Sequence, residues 1–495
     1  MPIKRVVAPH IDFSGLRREL GLPDVFPENV LAEAGAAVTE TPLPSVDRTD
    51  VAFVTLDPAS SRDLDQAMHL SRLDGGGYRV RYAIADVASY VRPGGAVEAE
   101  SWVRGQTIYL PDGRVPLHPP VLSEDAVSLL PDGERAAVVW TIDLDSSGET
   151  VAVDVERARV RSRAKLDYAG VQRQIDAGTV PEALALLPEI GALLAGRAAD
   201  RGAVNLPLPS QELEREPEHD GGGWRLVLRA PLPVEEHNAQ ISLLTGMAAA
   251  GIMLRGGIGL LRTMPSPKPE AVETLRAAAA PLGITWPDGA SVGAVVAAVD
   301  PADPRGAAFL DQAAELLRGA GYTAFDATVP AGPPDAGRNG TGLSAVPGPA
   351  EAGHGGVGAP YAHVTAPLRR LADRYATEIC LSLHAGRPVP EWVSAALPRL
   401  PKAMSSTDRV ASAADRGAID LAEAVLLQGR VGEQFDAAVL DRAEATAKRP
   451  AGGTIALDDP AVRAKCVGDL PLGQRIRVRL TAADPESRTV GFEKA

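Results

Sequence analysis

The segment Asp57-Pro-Ala-Ser-Ser-Arg62-Asp63-Leu-Asp65-Gln66 sets three carboxylates within nine residues at the exit of an apolar run, and that crowding constrains the fold around it. The run before it, Val51-Ala-Phe-Val-Thr-Leu56, is short, apolar and rich in β-branched or aromatic residues, the pattern of a buried strand. Three acids leaving such a strand converge in space. In a partly buried site their repulsion would raise their pKa values unless a cation or a basic partner were present, and hard oxygen donors suit Mg²⁺ or Mn²⁺. Taken alone, the same residues equally describe a solvated acidic loop capping a strand.

Further segments narrow that choice. After a Gly75-Gly-Gly77 turn comes Tyr78-Arg-Val-Arg-Tyr-Ala-Ile-Ala-Asp86, a strand of alternating character that again ends near an acid. Gly105-Gln-Thr-Ile-Tyr109-Leu-Pro111, Pro116-Leu-His-Pro-Pro120 and Ser128-Leu-Leu-Pro131 follow. About three hundred residues after the acids stands Tyr361-Ala-His-Val-Thr365-Ala-Pro367-Leu-Arg369-Arg370-Leu-Ala-Asp373-Arg-Tyr375. In this order the segments resemble the catalytic RNB domain of the ribonuclease II and ribonuclease R family, over roughly residues 46 to 430.

The resemblance implies an α+β protein: an RNB catalytic domain with a mixed β-sheet and packed helices, followed by a C-terminal OB-fold β-barrel. It implies a 3′-to-5′ exoribonuclease that hydrolyses single-stranded RNA to nucleoside 5′-monophosphates with Mg²⁺, Mn²⁺ being an alternative. Asp57, Asp63 and Asp65 match three acids of the family's metal cluster, and Gln66 stands at the fourth, where the family carries another aspartate. A neutral amide oxygen can coordinate a cation but adds no charge, so metal binding should be weaker. Among the acids, Asp65 is assigned to orienting or deprotonating the water, with Asp63 beside it. Tyr109 matches a tyrosine that positions the terminal nucleotide, Arg369 and Arg370 match a phosphate clamp, and Asp415 takes the place of a catalytic glutamate. The competing expectation is an RNA-binding protein whose altered acids at Gln66 and Asp415 no longer support turnover; a protein-interaction scaffold is a third.

Residue types add their own expectations. Thr365 followed by Pro367 reads as a helix start, which would place both arginines in the first turn, where they oppose the helix dipole unless a phosphate binds there. Alternatively Arg369 pairs with Asp373 four residues on. Alternation in Thr107-Ile-Tyr-Leu110 turns Tyr109 away from its two apolar neighbours, freeing its face for a base. In Arg157-Ala-Arg-Val-Arg-Ser-Arg-Ala-Lys165 a period of two gathers five cations on one strand face, either tracking a phosphate backbone or simply solvated. The helix at Glu236-His237-Asn238 departs from the family at Gln240 and Gly246, and Met264 stands where a histidine is expected, with Arg262 retained.

Residues 1–45 form a short lead with a helical stretch at Asp12–Leu20, residues 46–427 the RNB-type domain and residues 428–495 the OB-fold module. In that module Phe435 and Phe492 belong to the core, while Arg475, Arg477 and Arg479 alternate onto one face. The glycine- and proline-dense stretch 331–360 is an insertion or a channel lip. No run approaches a membrane span and the N-terminus lacks a secretory apolar core, so a cytoplasmic monomer is expected. Two cysteines, Cys380 and Cys466, cannot build a disulfide framework. A net charge of −14 argues against binding polyanions by long-range attraction, though a cationic channel can be local; arginine outnumbers lysine 43 to 7, which suits bidentate phosphate contacts.

Overall fold

The computed structural model describes residues 10–204, 206, 210–215, 223–327, 347–446, 450–457 and 459–495. Two helices, α1 (Ser14–Glu19) and α2 (Glu28–Glu40), lead into β1 (Phe53–Asp57), β2 (Gln66–Arg72) and β3 (Tyr78–Ala85). A small hairpin, β4 (Ile108–Leu110) and β5 (Gly113–Val115), precedes β6 (Glu134–Leu144) and the long β7 (Thr150–Asp167). Strands β1, β2, β3, β6 and β7 close into a barrel. All neighbours are antiparallel except β1 and β7, whose parallel pairing sets Asp57 opposite Asp167. The acid-rich segment is thus the short link between two adjacent barrel strands, which is why its carboxylates are brought together.

Helix α3 (Pro233–Gly256) packs on this barrel through Val234, Ile241, Leu244 and Met253, in one core with Tyr82, Trp140 and Val80. Gly246 is dictated by that packing: a Cβ there would stand 2.1 Å from the Tyr361 ring and 2.6 Å from the Ala362 carbonyl oxygen. Hairpin β8 (Ser210–Arg215) and β9 (Trp224–Arg229) lies before α3, and β10 (Ile258–Thr263) pairs with β11 (Gly321–Asp326) after it. Of the stretch 331–360, residues 331–346 lie outside the described residues; the rest holds the two-residue strands β12 (Gly353–His354) and β13 (Ala359–Pro360). Met264 joins this ladder, its amide donating to the Gly353 carbonyl.

Helices α4 (Leu371–His384) and α5 (Leu400–Leu427) complete the domain. The C-terminal strands β14 (Gln434–Ala443), β15 (Gly452–Leu457), β16 (Arg463–Val467), β17 (Arg475–Asp484) and β18 (Thr489–Lys494) form a second closed five-stranded barrel, as an OB fold requires. Four of these strands fall where the alternation predicts them. The fifth, β16, turns only Ala464 and Cys466 inward, and such small side chains leave little periodicity to read. Phe435 and Phe492 meet edge to face at 5.8 Å in the core.

A second core ties the ends of the chain together. Phe13 and Leu16 pack with Ala414, Ala418 and Leu426 of α5, with the C-terminal barrel, and with Ile108, Leu110 and Val115 of the β4–β5 hairpin. The hairpin that carries Tyr109 is therefore anchored from behind by the N-terminal lead and by α5.

The basic face of β7 is answered by acids. Arg157 pairs with Asp86 and Glu378, Arg159 with Asp47 and Glu134, and Arg161 with Glu134, while Arg163 and Lys165 donate to the carbonyls of Thr49 and Ala59. Its cations stitch neighbouring segments to the barrel. On β17, Arg477 and Arg479 share an exposed face and lie across from Asp436 and Glu493.

Candidate active site

The link from β1 to β2 is held before any ligand is considered. The Leu64 amide donates to Ser128 Oγ, the Leu129 amide to the Leu64 carbonyl, and the Ala85 amide to the Asp65 carbonyl. These bonds fix where Asp63 and Asp65 point. With Asp57 they face a cleft of 520 Å³, also lined by Gln66, Tyr109, Tyr168, Asn238, Ser242 and Arg369. Side chains separated by some three hundred residues of sequence thus share one cavity.

Each acid has different company. Asp65 is buried; its Oδ1 accepts the Leu368 amide at 2.8 Å and its Oδ2 lies 3.6 Å from Arg369 Nε. Burial drives its pKa well above the usual carboxylate range despite Arg369 and that amide. Asp57 is pushed up to about 6, first by burial and further by the Asp63 charge, with Arg369 and Lys165 opposing; its Oδ2 is buried with no hydrogen-bond partner. Asp63 is neutralised locally: Arg114 Nη1 donates to Oδ1 at 2.5 Å and the Tyr109 hydroxyl donates to Oδ2 at 3.2 Å.

Tyr109 is half exposed between buried Ile108 and Leu110, so the alternation places its ring in the cleft. The two arginines diverge. Helix α4 begins at Leu371, not near Thr365, so both precede it in a turn whose last residue, Arg370, is extended at φ −135° and ψ 125°. Adjacent residues there face opposite ways. Arg369 enters the cleft, while Arg370 turns behind it and grips the fully buried Asp373 at 2.9 and 2.8 Å. Burial opposes the Arg370 charge, but Asp373 outweighs it and holds the guanidinium protonated. Asp373 also accepts the Ala366 amide, and the Thr365 hydroxyl bonds Ser242 on α3 instead of capping a helix.

The two remaining candidates part company, Asp415 lying outside the cleft and Gln66 within it. Asp415 is exposed and lines a separate cavity of 600 Å³ between α5, β8 and the C-terminal barrel. Asp408, two turns earlier on α5, is the acid that faces back, pairing with Arg262 at 2.9 Å; seven residues of helix carry Asp415 about 10 Å further along the axis. Gln66 lines the cleft, yet its carboxamide is engaged at both ends: Nε2 donates to the Thr365 carbonyl at 2.6 Å and Oε1 accepts the Tyr82 hydroxyl at 2.5 Å. Gln240 does not line the cleft, whereas Asn238 does, donating to the Tyr168 hydroxyl at 3.2 Å with its own Oδ1 buried and unpartnered.

The sequence pattern alone does not point to Arg114 or Tyr168 as site residues. Arg114 was legible in principle, because Leu110-Pro-Asp-Gly113 is a turn signal and a hairpin there sets Arg114 directly across from Tyr109.

A model of the RNB domain matches residues 46–383, more than half of the chain. The chain belongs to the RNB family. Residues 433–495 of this RNB protein match the RNase II-type exonuclease C-terminal S1 domain, in register with the second barrel. The chain is 29% identical over 336 residues to the exosome complex exonuclease RRP44 homolog A of Arabidopsis thaliana, covering 64% of this chain but only 33% of the relative. It thus spans about a third of that relative's length. Its fold matches the apo form of Mycoplasma genitalium RNase R with a TM-score of 0.82 at 19% identity, over 98% of this chain and 77% of that one. Yeast Ssd1, described as a pseudonuclease, shares the fold at a TM-score of 0.66 and 16% identity, over 90% and 53% of the two chains.

RNB nucleases are generally divalent-metal dependent, and part of this donor set suits such an ion. Asp57 offers a buried, unpartnered oxygen, and Asp57 and Asp65 are desolvated carboxylates whose charge a cation would stabilise. Asp63 and Gln66 are already bound to protein groups. Among the described residues no three Asp, Glu, His or Cys side chains are grouped so as to hold a metal.

Proposed function

We propose that this chain is a 3′-to-5′ exoribonuclease that hydrolyses single-stranded RNA to nucleoside 5′-monophosphates with Mg²⁺ or Mn²⁺. The observation that carries the reading is the convergence of Asp57, Asp65, Arg369 and Tyr109 on one cleft. Asp57 and Asp65 would hold the divalent ion, which when bound supplies charge neutralisation at the scissile phosphate and acidifies water. Arg369 has a free side toward the cleft and aims a guanidinium at non-bridging phosphate oxygens. Tyr109 offers its exposed ring to the terminal base, and base stacking of this kind is indifferent to sequence. Asp65, next to Arg369, is positioned to orient the attacking water. The C-terminal barrel is the natural guide for the RNA leading into the cleft, since OB folds bind oligonucleotides on a strand face.

Digestion of a 5′-labelled single-stranded RNA tests the assignment. A ladder shortening from the 3′ end with Mg²⁺, lost with EDTA and in Asp65→Asn, supports it. One structural feature favours a second reading, an RNA-binding protein without turnover: where the family carries a fourth aspartate, Gln66 is consumed in holding Thr365 and Tyr82. RNA that stays intact yet is retained by the protein would establish that second reading.

A further inference from the structure

We propose that the pocket between helix α3, the helix Leu187–Asp200 and the β6–β7 turn is a binding site for a nucleoside 5′-monophosphate, with Arg201 and Arg255 holding the phosphate and Leu194, Leu244 and Met247 receiving the base. The site is separate from the cleft, and the inference does not depend on the chain being a nuclease.

The pocket measures 340 Å³, within the range of small-ligand sites, and shares no lining residue with the cleft. Helix α3 takes part in both. Asn238 and Ser242 line the cleft, while Leu244, Met247 and Gly251 line this pocket, Gly251 standing about 14 Å along the axis from Ser242.

Its floor is apolar. Leu194 and Leu244 are buried in the main core, and Val153 and Ala248 pack against that core. The wall opposite α3 is the turn joining β6 to β7. Gly148 has φ +80° there, and a Cβ on it would stand 2.8 Å from the Leu193 side chain, so glycine is what lets the turn close against the helix Leu187–Asp200. On α3, a Cβ at Gly251 would stand 3.2 Å from Arg255 Nη1. The bare backbone at Gly251 therefore gives the Arg255 guanidinium room to fold back along the helix toward the pocket.

The lining carries three guanidinium groups and one carboxylate. Arg197 is already spent, pairing with Glu149 and donating to the Ser147 carbonyl at 3.4 Å. Arg201 and Arg255 make no hydrogen bond or ion pair among the described residues, and Arg201 Nε is buried without a partner. Two more acids act from outside the wall: Asp145, whose Oδ1 is taken by the Ser147 and Glu149 amides, and the exposed Asp200. Neither forms an ion pair with an arginine of the pocket. Burial and the Arg197 charge hold Arg201 below its usual pKa, against the pull of Glu149 and Asp200, so an anion placed against it would be stabilising.

The lining thus has an excess of two positive charges over an apolar floor, in a chain whose net charge is −14. A phosphate monoester carries close to two negative charges at neutral pH and matches that excess, where a carboxylate supplies about one. Guanidinium forks suit phosphate oxygens. The flat base completes the match, since the Met247 thioether and the leucine methyls offer it a face to lie on.

Calorimetric titration of the full chain with adenosine 5′-monophosphate in EDTA tests the site with no metal in the cleft. The wild type is expected to bind the nucleotide, and adenosine and inorganic phosphate should each bind at least about tenfold more weakly, because each engages only part of the pocket. Arg201→Met and Arg255→Ser should each weaken nucleotide binding about tenfold, the usual worth of one charged hydrogen bond. Arg255 is exposed and unbonded, so its variant keeps the fold even where loss of the half-buried Arg201 does not; circular dichroism checks both. A nucleotide that does not bind, that binds both folded variants as tightly as the wild type, or that binds no better than inorganic phosphate would overturn the proposal. The RNA digestion reads the cleft independently: a chain that cleaves RNA but binds no nucleotide in EDTA would refute this site and leave the nuclease standing.

Discussion

Gln66 and Thr365 are joined by a 2.6 Å hydrogen bond across 299 positions of sequence, which ties the acid-bearing link to the segment that presents Arg369. The donor is the Gln66 amide nitrogen, so the bond cannot be made by the aspartate that the family places here. A carboxylate at that point would face the Thr365 carbonyl with no proton between them. The substitution thus exchanges a metal-directed charge for a mechanical connection between the two halves of the cleft.

Gln66→Asp is therefore expected to destabilise the metal-free protein by about 1–3 kcal/mol, the cost of leaving sheltered polar groups unpaired. Added Mn²⁺ should recover part of the loss, because the new carboxylate adds charge next to Asp57 and Asp65. Urea unfolding midpoints with and without Mn²⁺ measure both effects. A variant as stable as the wild type without metal would show that the Thr365 bond contributes nothing.

Tyr109 separates stacking from positioning. Its ring is 50% exposed and contributes little to the core, so neither Tyr109→Phe nor Tyr109→Ala should lower the unfolding temperature appreciably. Tyr109→Ala should weaken single-stranded RNA binding by about 1–3 kcal/mol, the usual worth of one stacked base. Tyr109→Phe keeps the stack and loses only the hydroxyl bond to Asp63, so its binding should stay near wild type. Fluorescence anisotropy with a labelled oligoribonucleotide distinguishes the two.

Much of this arrangement was legible in the residue order. The apolar run before Asp57 forms β1, the alternation around Tyr109 turns its ring outward, and Phe435 and Phe492 fill the second barrel. These are local properties, set by the period of a strand. What escaped was direction over long distances. Nothing near Asp415 reveals that α5 carries it away from the cleft toward the second barrel, or that Asp408 faces Arg262. The helix start lies later than the Thr365 signal for a related reason: the Leu368 amide that a capping Thr365 would bind donates instead to Asp65, and Thr365 is drawn to Ser242 on another helix. The basic stripe on β7 was open to two readings because its acidic partners lie on segments remote in sequence.

Glu423 gives the stability a pH dependence outside the cleft. It is 4% exposed on α5 and accepts hydrogen bonds from Gln211 and the Arg463 amide, joining α5 to β8 and to the C-terminal barrel. Burial pushes its carboxyl up to about 7, against the lowering effect of those two donors. A carboxyl raised on folding holds its proton more tightly in the native state. Its contribution to stability therefore falls as pH rises from the ordinary value of 4.5 through about 7, and the penalty is complete above that. Glu423→Gln retains an acceptor for both donors without the buried charge. It should raise stability at pH 8 by on the order of 2 kcal/mol and leave it unchanged below pH 4.5. Thermal unfolding across pH 4–8 measures the difference; equal gains at both ends would mean that charge is not the cause.

Arg369 and Arg370 are neighbours in sequence with opposite expected consequences. Arg369 is 44% exposed, faces the cleft and makes one long contact with Asp65, so Arg369→Ala should fold normally. It should lower turnover by about 10²–10³, as expected for a removed donor to transition-state charge. Arg370 is 20% exposed and clamps Asp373, which is fully buried and also anchors the Ala366 amide. Removing Arg370 leaves that carboxylate without its counter-charge at the start of α4, a loss of about 3–5 kcal/mol. Arg370→Ala should unfold at markedly lower urea concentration, and its remaining folded fraction should bind Mn²⁺ as the wild type does. Unfolding curves paired with single-turnover cleavage separate the two roles. A stable Arg370→Ala that cleaves poorly would return that side chain to the phosphate, and a destabilised Arg369→Ala would mean that its contact with Asp65 is structural.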